Sequence, residues 1–121
     1  MTKKILLVDD DPSIVMLLRE NLEGIGYSVV EGYDGLSAVE LAKSELPDLM
    51  IMDVNLPGLT GPLALESIRK EPSTAKIPVI FLTGDDSKES IPLQSEKSLF
   101  ARLKKPFDLD GLNKVVGQFL K

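Results

Sequence analysis

Ile5-Leu6-Leu7-Val8-Asp9-Asp10-Asp11-Pro12 is the stretch that decides the fold. Four apolar residues in succession suit a strand buried on both faces. Three acids stop the run at once. Asp11 before Pro12 makes a good helix N-cap, and the acids suit the positive end of a helix dipole. Ile14, Leu17, Leu18, Asn21, Leu22 and Ile25 then follow at helical spacing, ending at Gly24 and Gly26. The chain therefore opens as strand, acidic turn, helix. The apolar run is too short for a signal peptide or a membrane span.

The same alternation continues outward. Tyr27 to Glu31 reads as a second strand, and Leu36, Val39 and Ala42 as a second helix that stops before Pro47. Leu49-Met50-Ile51-Met52 is a third strand. Pro62 to Lys70 is a third helix, with proline near the first helical position, where its missing N–H costs nothing. Val79-Ile80-Phe81-Leu82 is a fourth strand and Leu99 to Lys104 a fifth. Leu112, Val115, Val116, Phe119 and Leu120 form the apolar stripe of a last helix. A fourth helix belongs between residues 86 and 97. Only Ile91 and Leu93 anchor it and Pro92 sits inside it, so a short, irregular or mobile element is predicted there.

Five strands alternating with five helices imply an α/β fold with a parallel sheet. Strands one, three and four are continuous apolar runs and belong in the middle. Strands two and five carry Ser28, Glu31, Arg102 and Lys104 and belong at the edges. With right-handed crossovers, the order 2-1-3-4-5 is the doubly wound solution. At 121 residues the chain suits one domain, 1–121.

Composition narrows the chemistry. Net charge is −5, from 19 acidic and 14 basic residues, which argues against nucleic-acid or anionic-membrane binding. The chain has neither cysteine nor histidine, so disulfides, thiolate metal sites, imidazole bases and zinc–histidine sites are excluded. A cysteine-free chain also agrees with a cytoplasmic location. Carboxylates, lysines, hydroxyls and backbone must carry any reaction.

Ligands of open parallel sheets bind beyond the C-terminal strand ends, where the strand order reverses. Here strand one ends in Asp9-Asp10-Asp11, strand three in Asp53, strand four in Thr83-Gly84 and strand five in Lys104-Lys105-Pro106. Apart from Lys104, none of these residues enters the choice of order, yet the order gathers them at one crevice. Two carboxylates about 4 Å apart repel by roughly 4 kcal/mol at an effective dielectric near 20, so such a cluster calls for a cation. Oxygen donors alone point to Mg²⁺ or another hard divalent ion. A carboxylate can also attack phosphorus to give an aspartyl phosphate, with Lys105 as fixed cation and Thr83 as hydroxyl donor. Singly, each piece has a plainer reading: a cap, a turn acid before Pro57-Gly58, a strand-end hydroxyl, a solvated lysine. Their convergence on one rim favours a site.

The ordered set Ile5 to Pro12, Asp53-Val54-Asn55-Leu56-Pro57-Gly58-Leu59-Thr60-Gly61, Phe81-Leu82-Thr83-Gly84 and Lys105-Pro106-Phe107 resembles a response-regulator receiver domain over essentially the whole chain. The resemblance implies a flavodoxin-like, five-stranded fold and a set of roles. Asp53 would be the phosphoacceptor. Asp10 would ligate Mg²⁺ with Asp9 helping, and Asp53 and the backbone carbonyl of Asn55 would complete the protein's share. Thr83 would bind the phosphoryl group and move toward it. Lys105 would pair with Asp53 or its phosphate, next to a cis bond to Pro106. The donor would be a sensor histidine kinase or a His-phosphotransfer protein, and the output an unknown protein or domain docked on the face of the fourth helix, fifth strand and last helix. That face is also the expected place for a homodimer. Such a domain phosphorylates and slowly dephosphorylates itself without being a turnover enzyme.

Three positions depart from the family pattern. Arg102 stands where an aromatic residue is common, Ser98-Leu99 where Gly-Ala is usual, and Thr60 where an Asp is common. Arg102, near Asp85 and Asp86, is the expected replacement for the aromatic switch, exchanging salt-bridge partners near the fourth helix. Two other enzyme-like readings fit less well. A haloacid-dehalogenase-like phosphatase generally needs a second Asp where this chain has Asn55, and a flavodoxin-type flavin site needs a neutral phosphate loop where this chain has Asp9 to Asp11. A receiver-like module without phosphorylation is the third alternative.

Overall fold

A computed structural model describes residues 2–84, 100–105 and 108–120. Five parallel strands, β1 (Lys4–Val8), β2 (Ser28–Gly32), β3 (Leu49–Asp53), β4 (Val79–Thr83) and β5 (Phe100–Lys104), form one sheet in the order β2-β1-β3-β4-β5. Among the described residues four helices accompany them: α1 (Pro12–Ile25), α2 (Gly35–Glu45), α3 (Gly61–Arg69) and α4 (Leu109–Phe119). The helix expected over 86–97 and the peptide bond to Pro106 lie outside the described residues. Among the described residues, no helix is long and apolar enough to cross a membrane.

The central strands are apolar throughout because both of their faces are covered. Every residue from Ile5 to Val8, Leu49 to Met52 and Val79 to Leu82 is buried. Strand alternation sorts these side chains into two cores. Leu6, Val8, Met50, Met52, Val79 and Phe81 meet α2 and α3 through Ala38, Ala42, Ala64, Leu65 and Ile68. Ile5, Leu7, Leu49, Ile51, Ile80 and Leu82 meet α1 and α4 through Val15, Leu18, Leu22, Leu112 and Val116.

Each described helix starts on a side-chain cap that satisfies an otherwise unpaired backbone N–H. Asp11 accepts from the backbone N–H of Ser13 at 3.0 Å, Asp34 from Ser37 at 2.7 Å, Thr60 from Leu63 at 3.4 Å and Asp108 from Gly111 at 2.6 Å. Thr60, a departure at sequence level, thus opens α3. α1 runs through Gly24, and the sharp turn falls at Gly26, whose φ of 123° suits glycine.

The structure corrects the phase of two helices. Leu17 and Ile25, read as part of the inward stripe of α1, are half exposed, and Leu36 on α2 is exposed as well. Val15 to Leu18 is apolar at every position, so spacing alone cannot say which residues face inward. Packing selects Val15, Leu18 and Leu22 on α1, and Ala38, Val39 and Ala42 on α2.

Candidate phosphorylation site

Alternation also aims the charged rim. The register that turns Ile5 and Leu7, Leu49 and Ile51, and Ala101 and Leu103 toward α1 and α4 gives Asp9, Asp53 and Lys105 that same parity at their strand ends. Lys105 Nζ reaches Asp53 Oδ2 at 3.3 Å and Asp9 Oδ2 at 3.5 Å, closing a contact between residues 96 apart in sequence. Asp9 is 1% exposed and Asp53 6%. Asp10 follows on the exposed side of the turn, and ligand atoms of Asp9, Asp10 and Asp53 all lie within 4.8 Å of one another.

Backbone N–H groups reach the other oxygen of each buried carboxylate. The N–H of Asp11 donates to Asp9 Oδ1 at 3.0 Å and that of Asn55 to Asp53 Oδ1 at 3.1 Å. The Lys105 N–H donates to the Thr83 carbonyl at 2.7 Å, which fixes the start of the lysine loop to β4. Two glycines set the loop after Asp53. A Cβ on Gly61 would strike the Asp53 carbonyl oxygen, and one on Gly35 would strike that of Leu59. The start of α2 therefore rests directly on the loop that carries Asn55, a contact that nothing in the local sequence reveals.

The site is electrostatically uneven. Burial raises the Asp9 carboxyl above its ordinary value, with the Asp53 charge adding to the rise, while the Asp11 N–H and Lys105 oppose it. Burial alone would lower Lys105, but Asp53 and Asp9 outweigh it and hold the ammonium charged. Asp11 is shifted down by the hydroxyl and N–H of Ser13, as befits a cap rather than a ligand.

The predicted residues divide accordingly. Asp9, Asp10, Asp53 and Lys105 are brought together. Thr83 is buried at the end of β4, next to Leu82, the register partner of Asp53, and has the other parity, in line with Phe81. Asn55 is exposed two residues past Asp53. Arg102 is exposed on β5 opposite Phe81, away from the acids, and Asp85 and Asp86 lie outside the described residues.

A five-stranded parallel sheet in this order, with an acid cluster and a lysine on its C-terminal rim, is the architecture of a receiver domain. The response regulator receiver domain family matches residues 5–117, and the chain belongs to that family. It is 38% identical over its full length to the alkaline phosphatase synthesis transcriptional regulatory protein PhoP of Bacillus subtilis, and spans half of that protein's length. It is 34% identical to Protein PilH of Pseudomonas aeruginosa, covering 97% of both chains. Among solved structures, the chemotaxis response regulator CheY4 of Vibrio cholerae superposes with a TM-score of 0.84 at 31% identity, over 98% of this chain and 99% of that one. The receiver domain of sensor histidine kinase PA1611 from Pseudomonas aeruginosa, with a magnesium ion in its active-site cleft, gives 0.82 at 28% identity, over 99% and 98%. The chain is thus a receiver domain of a two-component system.

Proposed function

We propose that this receiver takes a phosphoryl group onto Asp53 and uses it to switch partner binding. The observation that carries the reading is the pairing of Asp53 with Lys105 beside Asp9 and Asp10 on one rim. A carboxylate oxygen of Asp53 attacks phosphorus, and the bond from phosphorus to the donor atom breaks. Lys105 is already within 3.3 Å of the carboxylate, where it offsets charge on the incoming group. The Thr83 hydroxyl binds a phosphoryl oxygen from the neighbouring strand.

The donor set fits Mg²⁺. Its side-chain donors are all carboxylate oxygens, and three converge within 4.8 Å without a lysine for each. Asp10 and Asp53, helped by Asp9 and the Asn55 carbonyl, would hold the ion. When bound, it supplies charge neutralisation for the acids and the phosphoryl oxygens.

With no histidine among these 121 residues, the phosphohistidine donor lies outside this domain, on a sensor histidine kinase or a His-phosphotransfer protein. The domain acts once per donor and hydrolyses its own acyl phosphate slowly, so it is a switch rather than a turnover enzyme. Phosphorylation shifts a two-state equilibrium that an output protein, an output domain or a second copy reads. Arg102 at the β5 edge takes the aromatic residue's part in that shift. If Arg102→Ala left phosphorylation-dependent binding of the output unchanged, that role would be lost.

The experiment is intact mass after incubation with acetyl phosphate and Mg²⁺, beside an Asp53→Ala control. The expected result is a gain of one phosphoryl group, absent in the variant and in EDTA. A folded protein that shows no gain is a binding module without phosphorylation.

A further inference from the structure

α1 presents three faces. Val15, Leu18 and Leu22 face the sheet, and Asn21 exchanges side-chain hydrogen bonds with Asn113 of α4, at 2.7 and 3.4 Å. The third face, on the far side of the helix from Asn21, borders a groove of about 440 Å³ between α1 and β2. Met16 and Tyr33 line this groove and are 61% and 42% exposed. A protein surface tolerates single exposed apolar residues, but here two lie on one concavity whose other walls are charged.

The charges on those walls do not balance. Arg19 donates to Glu31 Oε2 at 2.7 Å and to Glu23 Oε2 at 3.0 Å, and the Tyr33 hydroxyl donates to Glu31 Oε1 at 3.2 Å. Among the described residues of the lining, Arg19 supplies the one guanidinium and is committed to two carboxylates, and Glu20 brings a third. Three carboxylates against one cation leave the described lining negative by two charges. Such a lining repels nucleic acid, anionic lipid and phosphate. It attracts a side chain with an apolar stem and a cationic head. For such a side chain, Met16 and Tyr33 offer apolar surface to the stem, and Glu20 and Glu23 offer carboxylates to the head.

We infer that the α1–β2 groove is a docking site for a lysine- or arginine-bearing segment of a partner protein, separate from the phosphorylation rim. Charge complementarity chooses this occupant over a second copy of the chain, which is itself acidic.

The test is a residue-resolved ¹⁵N NMR titration of the full chain with hexalysine, and with hexaglutamate as control, in excess Mg²⁺ at physiological ionic strength. Hexalysine is expected to shift amides around Met16, Glu20, Glu23 and Tyr33, hexaglutamate none. Glu20→Lys, an exposed substitution that leaves the rest of the spectrum in place, is expected to weaken hexalysine binding at least tenfold. Tyr33→Ala is expected to weaken it severalfold. Shifts centred on Asp9, Asp10 and Asp53, binding indifferent to Glu20→Lys, or no binding would overturn the assignment. Self-association in sedimentation that disappears in Glu20→Lys would assign the groove to a second copy instead and equally overturn it.

Discussion

The middle of the sheet and its C-terminal rim differ by a single residue step along three strands. Val8 gives way to Asp9, Met52 to Asp53 and Leu82 to Thr83, and all six side chains are buried. Before the step, burial removes apolar surface from water and stabilises the fold at about 25 cal/mol per Å². After it, the same burial confines groups that water would solvate better. The rim is held together by Lys105 and by backbone N–H donors, and its converging carboxylates suit a cation rather than stability. The interior makes the structure, and the rim draws on it.

Substitutions on the two sides of the step should accordingly fail in different ways. Phe81→Ala, in the interior, empties a fully buried aromatic site that also lies against Gly61. It is expected to cost about 3–5 kcal/mol in chemical denaturation, with phosphorylation intact in whatever fraction stays folded. Lys105→Ala, at the rim, is expected to slow acyl-phosphate formation by about 10²-fold, the loss typical of one charge-stabilising donor. Intact-mass kinetics at saturating Mg²⁺ measure it. If Lys105→Ala slowed nothing, the rim's cation would be structural only.

The metal sharpens the same contrast. Mg²⁺ that binds only the folded rim stabilises by about 2.7 kcal/mol at a hundred times its dissociation constant. Wild type is expected to melt higher in Mg²⁺ than in EDTA, and Asp10→Asn to lose most of that gain, whereas Phe81→Ala keeps it. The smallest effect concerns Asp9 without metal. Its carboxyl is raised by burial, so ionised Asp9 opposes folding. That penalty is absent below the unfolded value of 3.8, grows as pH rises through it, and is complete above the folded value. In EDTA at neutral pH, Asp9→Asn is therefore expected to be more stable than wild type, with the advantage fading toward acid pH. A variant less stable at every pH would mean that Asp9 supports the fold.

Legibility in the sequence follows the same line. The strands could be read because doubly covered strands must be apolar without interruption, and the mixed composition of β2 and β5 disclosed the edges. The acids and Lys105 could be read because the strand order carries their ends to one point, and observed ends differ from expected ones by one residue or so. The phase of α1 could not, since Val15 to Leu18 is apolar all round and only the packed sheet selects a face. Neither could the contact between Gly35 and Leu59, nor the Arg19–Glu31 pair that shapes the α1–β2 groove. Those depend on where separate elements meet, and no local pattern encodes that.

The most direct test of the account is to locate the phosphoryl group itself. After phosphorylation with acetyl phosphate and Mg²⁺, borohydride reduction converts an aspartyl phosphate to homoserine, which peptide mass spectrometry assigns to a position. The account requires homoserine at residue 53 alone, dependent on Mg²⁺. Homoserine at Asp9 or Asp10, or none in a protein that has gained the phosphoryl mass, would contradict it.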